Sequence, residues 1–405
     1  MLHLLLALGI FGLITSTIYS IMVMAGVVRF RARRRQAAPI GFFPAVSVLK
    51  ALHGDEPDLE RNLTSFFEQD YPSFEILFCA RRADDAGLTS ARRVAARYPQ
   101  VESSIHLSGE PEWPNARTYS LEIMRRAARH DILVMADSDV YAERDYLAKV
   151  VQPLQDANVG MVTCVYRGVT KHGLWARLEA LGMSVEMTSG VLVAEMLEGM
   201  QFALGPTMVM RTSTIQKIGG FAPVGQYHAD DFILGNWVHR SGETVVLSTY
   251  PIEHHVVNTS FASTFAHQLG WATSTRFSRP KGHAGTIFTF AMPFGLLAFA
   301  SLSLAHYPYL GLAALAWAYL DRVLLSVLVG GVVVRDRKAV TYAWLYPLRD
   351  LTGFFFWAAS YLRRRLRYRG ELYELRFGGT LHPVDPKSEH AAAEQTSLLT
   401  SKPKS

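Results

Sequence analysis

Apolar segments long enough to cross a membrane lie near both ends of the chain. Between residues 4 and 28 no side chain is charged, and a helix needs about 20 apolar residues to span the hydrocarbon core of a bilayer. Three further apolar segments follow near the C-terminus, at 284–305, 309–334 and 341–362. The pattern predicts an N-terminal transmembrane anchor over 1–28 and about three transmembrane or membrane-embedded helices over 284–362.

The middle of the chain, residues 45–283, alternates short apolar runs with amphipathic stretches. Strands are predicted at 45–49, 74–79 and 131–136, and helices at 58–69, 87–98 and 115–128. Such an alternation is typical of an α/β domain with a mostly parallel sheet. The sequence has no GxGxxG and no GxxxxGK[ST] loop, which excludes the usual dinucleotide and P-loop phosphate sites.

The apolar stretch 183–205 is a further candidate span. Glu186, Glu195 and Glu198 interrupt it, which argues against a position inside the bilayer. Two placements remain open: a helix at the membrane interface that lines the entrance for a lipid, and a core helix under the sheet.

Composition and charge place this domain at a membrane surface. Apolar residues make up 49% of the chain and charged residues 19%, and 41 Lys+Arg against 35 Asp+Glu give a net charge of +6. Five arginines follow the first span directly, at Arg29, Arg31, Arg33, Arg34 and Arg35. Basic residues beside a span favour the cytoplasmic side, so 29–44 is expected to be a basic juxtamembrane linker to a cytoplasm-facing domain. Because the cluster directly adjoins a membrane helix, it indicates anionic lipid headgroups rather than nucleic acid.

A second arginine cluster follows the last apolar segment, at Arg363, Arg364, Arg365, Arg367 and Arg369. If all three C-terminal segments crossed, this cluster would lie outside, against the positive-inside tendency. A re-entrant or interfacial segment is the alternative. The charged pairs inside the segments, Asp321-Arg322 and Arg349-Asp350, fit either interhelical pairing or a role in the functional site. Residues 363–405 are expected to be a basic segment followed, after Pro386, by a disordered tail.

Cysteine and histidine give no metal pattern. Cys79 and Cys164 lie in apolar runs without CxxC spacing, which excludes a disulfide framework and a cysteine zinc site. Five histidines lie in the last third of the middle region, at His228, His254, His255, His267 and His283. Their scattered spacing favours ordinary hydrogen-bonded histidines over metal ligands.

Carboxylate pairs follow predicted strands and open a predicted helix. They are Asp84-Asp85 after the strand 74–79, Asp137-Ser138-Asp139 after the strand 131–136, and Asp230-Asp231 after a Gly219-Gly220-Phe221 turn. Singly, each pair also fits a turn or a helix cap. At the carboxyl edge of a sheet, however, hard oxygens suit Mg²⁺ or Mn²⁺ that bridges two phosphates. Together the pairs indicate a nucleotide-sugar transferase, with one pair for the nucleotide, one for the metal and one that acts as a base.

Further short motifs accompany these carboxylates. They are Phe74-Glu75-Ile76-Leu77-Phe78-Cys79, Asn115-Ala116-Arg117, His228-Ala229-Asp230-Asp231-Phe232, Trp271, Pro347-Leu348-Arg349-Asp350 and Arg369-Gly370-Glu371-Leu372-Tyr373. From the anchor to about Pro383, the combination resembles the ceramide glucosyltransferase family of inverting GT-A glycosyltransferases, including its bacterial hopanoid-associated relatives. The resemblance implies a GT-A, Rossmann-like nucleotide-sugar domain over 45–283.

The resemblance also implies roles for the aspartates. Asp85 matches the aspartate that contacts the nucleotide base, and Asp84 is its neighbour. Asp137 would meet the ribose or phosphate side of the donor, and Asp139 would hold the metal. Asp231 matches the general base for the acceptor hydroxyl.

Asn115 and Arg117 match a donor-side Asn-x-Lys motif of the family. Arginine replaces lysine here, which keeps the charge but changes the geometry. Both residues are expected to bind the donor.

A fourth motif departs from the family pattern. The family's [Q/R]-x-x-R-W falls on His267-Gln268-Leu269-Gly270-Trp271, so Trp271 is retained and Gly270 takes the arginine position. Trp271 is expected to stack on the donor's sugar or base, with anchoring at the interface as the alternative. The arginine would help to hold the diphosphate, and Arg276 and Arg279 are candidates for the same charge.

The implied reaction is a single in-line displacement with inversion at the anomeric carbon. Glucose from UDP-glucose, or alternatively N-acetylglucosamine, would move to the hydroxyl of a membrane lipid such as ceramide or a hopanoid, with Mg²⁺ or Mn²⁺ as cofactor. Expected partners are a UDP-sugar, a lipid acceptor and the bilayer, and the expected location is a bacterial inner membrane with the catalytic domain facing the cytoplasm. A processive polysaccharide synthase and a catalytically silent UDP-sugar-binding membrane protein remain as alternatives: few spans disfavour the first, and Gly270 favours the second.

Overall fold

The computed structural model of the protein describes residues 1–36, 40–171, 173–256, 258, 260–368 and 371–384. They form an α/β domain with a long apolar helix before it and membrane-type helices after it. The fold class expected from the sequence is therefore confirmed.

One eight-stranded sheet forms the centre of the α/β domain. Its strands are β1 (Val46–Ala51), β2 (Phe74–Ala80), β3 (Glu102–Leu107), β4 (Ile132–Ala136), β5 (Val140–Tyr141), β6 (Val159–Val169), β7 (Thr207–Arg211) and β8 (Thr244–His255). Their order is β3-β2-β1-β4-β7-β6-β8-β5. β1 to β4 are parallel, β7 runs antiparallel between β4 and β6, and β6 and β8 are parallel. β1 and β4 are almost wholly buried, because helices cover both faces of a parallel sheet.

The helices precede, connect and follow these strands. They are α1 (Leu2–Arg35), α2 (Leu59–Phe67), α3 (Ala86–Arg97), α4 (Ala116–Ala127), α5 (Tyr146–Val150), α6 (Leu174–Leu181), α7 (Thr188–Glu198), α8 (Thr212–Lys217), α9 (Asp230–Arg240), α10 (Phe261–Ser278), α11 (Pro280–Gly285), α12 (Met292–Leu304), α13 (Pro308–Leu328), α14 (Arg337–Thr341) and α15 (Tyr346–Ser360). The predicted strands and helices between 45 and 136 coincide with β1, β2, β4, α2, α3 and α4 to within two residues at each end.

The anchor helix α1 continues through the arginine cluster to Arg35, so the predicted linker begins as helix. Arginine is a good helix former, and tertiary contacts hold this end. Arg33 forms an ion pair with Glu195, and Arg34 donates to the Val332 carbonyl oxygen at 2.7 Å. α13 continues through a π-helical turn, Val329–Val333. The end of α1 therefore lies beside the end of this continuous helix.

α6 and α7 form one continuous helix through a π-helical turn, Gly182–Met187. Leu174–Glu198 is long and apolar enough to span a membrane, but 61% of its most apolar window is buried inside the protein. Leu192 lies against Gly26 of α1, and Ala180 lies against Gly168 of β6. Of the two placements left open, the core helix between sheet and anchor is the one observed.

The C-terminal membrane helices differ in length. In the described part of the chain, three helices are long and apolar enough to cross, Leu2–Arg35, Leu174–Glu198 and Pro308–Val333. A bent pair, Pro280–Thr289 with Met292–Leu304, adds a fourth if it is one span. α15 has 15 residues, or about 22 Å of helix, which is short of the hydrocarbon core.

α15 begins and ends on the side of the α/β domain. Before it, the Ser184 hydroxyl donates to Asp336 at 2.8 Å. After it, Arg276 donates to the Arg363 carbonyl oxygen at 2.9 Å. These contacts agree with the alternative of a re-entrant or interfacial segment, in which the second arginine cluster does not conflict with the positive-inside tendency.

The charged pairs inside the apolar segments contact each other across helices. Arg322 donates to Asp350 at 3.3 Å and to the Thr289 carbonyl oxygen at 2.9 Å. Arg349 donates to Glu186 of the π-helical turn at 2.8 Å. Of the two roles left open for these pairs, interhelical pairing is the one observed.

The basic segment after α15 folds into a second sheet that the sequence did not predict. Its antiparallel strands are β9 (Arg365–Tyr368), β10 (Glu371–Arg376) and β11 (Thr380–Pro383). A small apolar cluster that includes Phe277 and Leu375 packs this sheet against the end of α10. Arg369, Gly370 and the predicted tail after Pro386 lie outside the described residues.

Candidate active site

Strand β4 carries Asp137 and Asp139 to the edge of the sheet. The five residues of β4 are buried, and the chain turns directly after it. At the same end of the neighbouring β1, the buried Lys50 donates from Nζ to the Asp137 carbonyl oxygen at 2.7 Å. Its ammonium lies 3.4 Å from the centre of the Phe66 ring, and burial lowers the pKa of Lys50 to about 7.

Arg117 joins the second and third carboxylate motifs. From the first turn of α4 it donates to Asp137 Oδ1 at 2.8 Å, to Asp230 Oδ2 and to the Gly205 carbonyl oxygen at 3.0 Å. Burial raises the pKa of Asp137, although Arg117 acts in the opposite direction. The guanidinium donates to these three acceptors from three separate nitrogens, whereas the three donors of a lysine ammonium share one nitrogen. This contact pattern is a structural reason for arginine at a position where the resemblance implies lysine.

Asp231 lies at the start of α9. Its carboxylate accepts hydrogen bonds from the backbone N–H of Gly205 at 2.7 Å and of Phe232 at 2.8 Å. Burial and the adjacent Asp230 raise the pKa of Asp231 to about 6. A carboxylate with a pKa near the operating pH is suited to act as a general base.

Asp139 pairs with His254 from the end of β8. Oδ2 of Asp139 lies 3.1 Å from His254 Nε2. Burial raises the pKa of Asp139, but the charge and hydrogen bond of His254 outweigh it and hold this pKa below its ordinary value. Asp139 Oδ1 and His254 Nδ1 are buried without a hydrogen-bond partner, so the pair retains unused binding capacity.

The donor set at Asp139 fits a divalent cation that is shared with a phosphate ligand. Glu56 lies nearby with an unpartnered Oε2, and burial raises its pKa to about 7. Among the described residues, no group of three or more His, Cys, Asp or Glu side chains could enclose a metal alone. Mg²⁺ is commonly held by one or two carboxylates together with substrate phosphates. The residues present therefore fit a metal that binds together with a diphosphate.

A cavity of about 580 Å³ opens at the carboxyl ends of β1 and β2. Asp84 lines it and pairs with the exposed Arg82 at 2.9 Å. Asp85 caps α3 by accepting from the Gly87 N–H at 2.8 Å, and it accepts from the Gly54 N–H at 3.0 Å. Asp85 thus holds the loop at the mouth of the cavity, and a contact of either aspartate with a nucleotide base remains a prediction.

Asn115 is 1% exposed, and its contacts are structural. Its Oδ1 caps α4 by accepting from the N–H groups of Arg117 and Thr118, at 3.1 and 3.2 Å. Its amide nitrogen donates to the Tyr227 carbonyl oxygen at 2.9 Å, and Tyr368 Oη donates to Oδ1 at 3.2 Å. Asn115 therefore positions Arg117 and the loop before Asp230, while a direct contact with a donor remains a prediction.

The fourth motif lies on α10. Trp271 is partly buried, with its ring centre 4.5 Å from that of His267. Gly270 faces open space, since a Cβ atom there would meet nothing within 4 Å. Packing therefore does not exclude an arginine at position 270, and stacking of Trp271 on a donor remains a prediction.

Of the two arginines considered for the missing charge, Arg279 lies nearer the base. Arg276 donates to the Arg363 carbonyl oxygen, towards the second sheet. Arg279 pairs with Glu198 at 3.3 Å and lies 5.6 Å from the centre of the Phe232 ring, next to Asp231.

The five histidines have ordinary polar partners, as the sequence favoured. The pairs are His228 with Ser274, His254 with Asp139, His255 with Asp58, His267 with Glu179 and His283 with Ser360.

Three charged residues at or near the site carried no motif signal: Lys50, Glu56 and Glu179. Lys50 and Glu56 lie at or just beyond the end of the first predicted strand, the position that identified the aspartates after the later strands. Although no motif includes them, their position after a predicted strand could have identified these two residues as candidates for the site. Glu179 lies in a helix remote in sequence from every motif and offered no such signal.

Comparisons with known proteins identify relatives for almost the whole chain. The family described as Glycosyl transferase family 21 matches residues 8–381. Ceramide glucosyltransferase 1 of Caenorhabditis elegans is 24% identical over 392 residues, which cover 95% of this chain and 82% of that protein. Ceramide glucosyltransferase 3 of the same organism is 22% identical over 345 residues, covering 84% of this chain and 74% of that protein.

Among solved structures, a mannosyltransferase from Pyrobaculum calidifontis in complex with GDP-Man and Mn²⁺ is 18% identical, with a TM-score of 0.49. It covers 86% of this chain and 99% of its own. The family match spans both the anchor helix and the carboxylate motifs. The chain is therefore a glycosyltransferase and belongs to glycosyl transferase family 21.

Proposed function

We propose that the protein is a membrane-bound inverting glycosyltransferase that moves a hexosyl group from a UDP-sugar to the hydroxyl of a membrane lipid. The donor is UDP-glucose and the acceptor is ceramide, a hopanoid or a similar lipid alcohol. The observation that carries this proposal is Arg117, which holds Asp137 and Asp230 together and so brings the donor-side motif next to Asp231.

The chemistry is an in-line displacement. Asp231 takes the proton from the lipid hydroxyl, whose oxygen attacks the anomeric carbon from the side opposite the leaving UDP. Two backbone N–H groups hold the Asp231 carboxylate in a fixed orientation. Its raised pKa makes it basic enough to accept the proton of the lipid hydroxyl. Inversion follows from the single displacement.

The donor nucleotide lies in the cavity beside Asp84 and Asp85, with its phosphates directed to Asp137 and Asp139. Asp139 holds Mg²⁺ or Mn²⁺, which when bound neutralises charge on the leaving diphosphate. Asp85 keeps the cavity loop in place, and Asn115 keeps Arg117 in place. Trp271 stacks on the sugar.

The acceptor reaches the site from the membrane. The cytoplasmic end of α1 contacts the end of the helix 308–333 through Arg34. The adjacent Arg33 pairs with Glu195 of α7. Four residues after α7 ends, Phe202 stacks with Phe232, next to Asp231. These contacts connect the membrane helices with the surroundings of Asp231, which supports an acceptor lipid that keeps its chains in the bilayer, in a bacterial inner membrane with the site facing the cytoplasm.

The test is sugar transfer by the full-length protein in lipid vesicles. UDP-glucose and UDP-N-acetylglucosamine are offered separately with Mn²⁺, and the vesicles contain ceramide or a hopanoid. We expect lipid-dependent UDP release and a lipid carrying one sugar. Asp231→Asn should lower kcat by about 10³-fold while UDP still binds.

The outcomes separate the alternatives. A polymer as product would favour a processive synthase. UDP-sugar binding without turnover, with every lipid supplied, would favour a silent binding protein. Full activity of Asp231→Asn would contradict the assignment of the base.

A further inference from the structure

His267 takes the first position of the motif in which Gly270 removes the arginine, and it is held by a buried carboxylate. His267 Nδ1 lies 2.5 Å from Glu179 Oε1. Glu179 is 0% exposed, and Asn258 donates to its two carboxylate oxygens at 3.1 and 3.2 Å. A buried carboxylate needs a compensating positive charge. Within the described part of the chain, His267 is the ion-pair partner that Glu179 has.

This pairing leaves the second ring nitrogen of His267 available. Nδ1 also lies 3.1 Å from the Asn258 amide nitrogen. With Nδ1–H directed to Glu179, Nε2 carries an N–H in the doubly protonated ring and is an acceptor in the neutral ring, so the donor role at Nε2 requires the imidazolium. In the described residues no hydrogen bond or ion pair engages Nε2. The His267 side chain is 37% exposed, so a ligand can reach it.

The His267–Glu179 pair lies close to the carboxylate edge of the sheet. Gly168 of β6 is in register with His254 of β8, and Gly168 packs against Ala180, the residue after Glu179. Burial lowers the pKa of His254, but Asp139 and, more weakly, Asp137 and Glu179 raise it above its ordinary value, so Glu179 lies near His254. His254 in turn contacts Asp139 at 3.1 Å.

Several other cations near the site already have partners, including Arg61 of the cavity wall, which contacts Glu253 and His255. Among the described residues, Arg117 binds Asp137 and Asp230, Lys50 binds the Asp137 carbonyl oxygen, and Arg279 binds Glu198. A leaving diphosphate needs donors that are not already committed to other acceptors. His267 Nε2 supplies such a donor.

We propose that His267, oriented by Glu179, is a catalytic residue that binds the leaving diphosphate in place of the missing arginine. The inference rests on the proposed function. As the lipid oxygen bonds to the anomeric carbon, its proton passes to Asp231. The bond from that carbon to the β-phosphate oxygen breaks, and the electron pair leaves on UDP. Nε2–H donates a hydrogen bond to the diphosphate and keeps its proton, and Glu179 acts as a positioning residue.

Two substitutions test the roles of the two ring nitrogens of His267 separately. His267→Asn keeps an amide N–H near the Nδ1 position for Glu179 but removes the outward donor. His267→Gln keeps an outward N–H near the Nε2 position. In vesicles with ceramide, UDP-glucose and Mn²⁺, we expect His267→Asn to lower kcat by about 100-fold and KM for UDP-glucose to change by less than about threefold. His267→Gln should retain about ten times more kcat than His267→Asn.

Gly270→Arg supplies a rescue, because position 270 faces open space. In the His267→Asn background it should restore kcat by at least about tenfold. His239→Ala, which removes an exposed histidine from α9, is the control and should keep the wild-type kcat. UDP binding, followed by calorimetry, identifies any variant that fails to fold.

The results distinguish this inference from the proposed function. Wild-type turnover with an equally fast, UDP-binding His267→Asn would overturn the role of His267 and leave the transferase in place. Failure of Gly270→Arg to accelerate His267→Asn would likewise overturn that role. A wild-type protein without turnover on any lipid would contradict the proposed function itself, and the inference with it.

Discussion

Two arginines in this protein each lie between a pair of aspartates, one in the sheet domain and one in the membrane bundle. Arg117 contacts Asp137 and Asp230, whereas Arg322 contacts Asp321 and Asp350. The two clusters consist of the same chemical groups, but their surroundings differ.

The membrane cluster is closed. Arg322 also donates to the Ser20 hydroxyl at 2.7 Å, and Asp350 accepts from the backbone N–H groups of Ala291 and Met292, at 3.0 and 2.8 Å. The side chains of Arg322 and Asp350 are 2% and 4% exposed. Because these partners come from several helices, the cluster fixes how the bundle packs.

The cluster in the sheet domain is open. The Asp137 side chain is 31% exposed, and beside it Asp139, His254 and Glu56 each retain a buried polar atom without a partner. An unpaired buried polar atom is costly unless a ligand satisfies it. The comparison teaches that buried charge alone does not distinguish the two clusters, whereas solvent access to Asp137 and the unpartnered polar atoms beside it do.

The largest expected effect separates the two clusters by stability. Arg322→Met leaves Asp321 and Asp350 without their cation, so the free energy of unfolding should fall by about 3–5 kcal/mol. Denaturation in detergent micelles measures it. Leu320→Met, at a 62% exposed position on the same helix, is the matched control and should unfold as wild type. If both variants unfolded alike, the cluster would not hold the bundle together.

The same substitution in the sheet domain should act on catalysis instead. Arg117→Met removes the contact between the donor-side motif and the loop of the base, so kcat/KM should fall by about 10²–10³-fold. Its unfolding free energy should fall less than that of Arg322→Met, because water reaches Asp137. Transfer assays and denaturation of both variants test whether Arg117→Met acts mainly on catalysis and Arg322→Met mainly on stability. Arg117→Lys, which keeps the charge but not the fork, should fall between wild type and Arg117→Met.

A smaller effect concerns the pH dependence of the open site. The pKa of Asp231 is raised to about 6, and only the carboxylate form can accept a proton. Below about pH 6, kcat/KM should therefore fall about tenfold per pH unit, and above it this group should cause no further rise. In the proposed mechanism Glu56, whose pKa is raised to about 7, does not act as the base, so Glu56→Gln should keep the same acid limb. If the acid limb disappeared in Glu56→Gln, Glu56 rather than Asp231 would be the base.

The sequence predicted the parts of this fold that depend on local patterning. β1, β2, β4 and α2 to α4 were predictable from the alternation of apolar runs, and the three carboxylate pairs from their positions at element ends. Arg117 was identified through a motif, but its bridge between two aspartates depends on tertiary geometry. The same holds for Lys50 and Glu179, whose neighbours are distant along the chain.

The C-terminal region was least predictable. The second sheet, β9 to β11, consists of short strands rich in arginine, and its few apolar residues form a small separate cluster with Phe277 of α10. α15 resembles a span by composition, and its placement depends on the contacts of Asp336 with Ser184 between α6 and α7 and of Arg363 with Arg276 of α10. Side-chain composition carries no information on such contacts.

The smallest expected effect compares two adjacent aspartates at the cavity. Asp85→Ala removes the cap of α3 and the contact with the Gly54 N–H, so we expect about 1 kcal/mol less stability and a KM for UDP-glucose raised by about tenfold. Asp84 is exposed and pairs with an exposed arginine, so Asp84→Ala should change KM by less than about twofold. Denaturation and donor titration of both variants measure the difference. If Asp84→Ala raised KM as much as Asp85→Ala, the nucleotide would be bound by the exposed carboxylate, and the hydrogen bonds by which Asp85 holds the cavity loop would not be what distinguishes the two aspartates in donor binding.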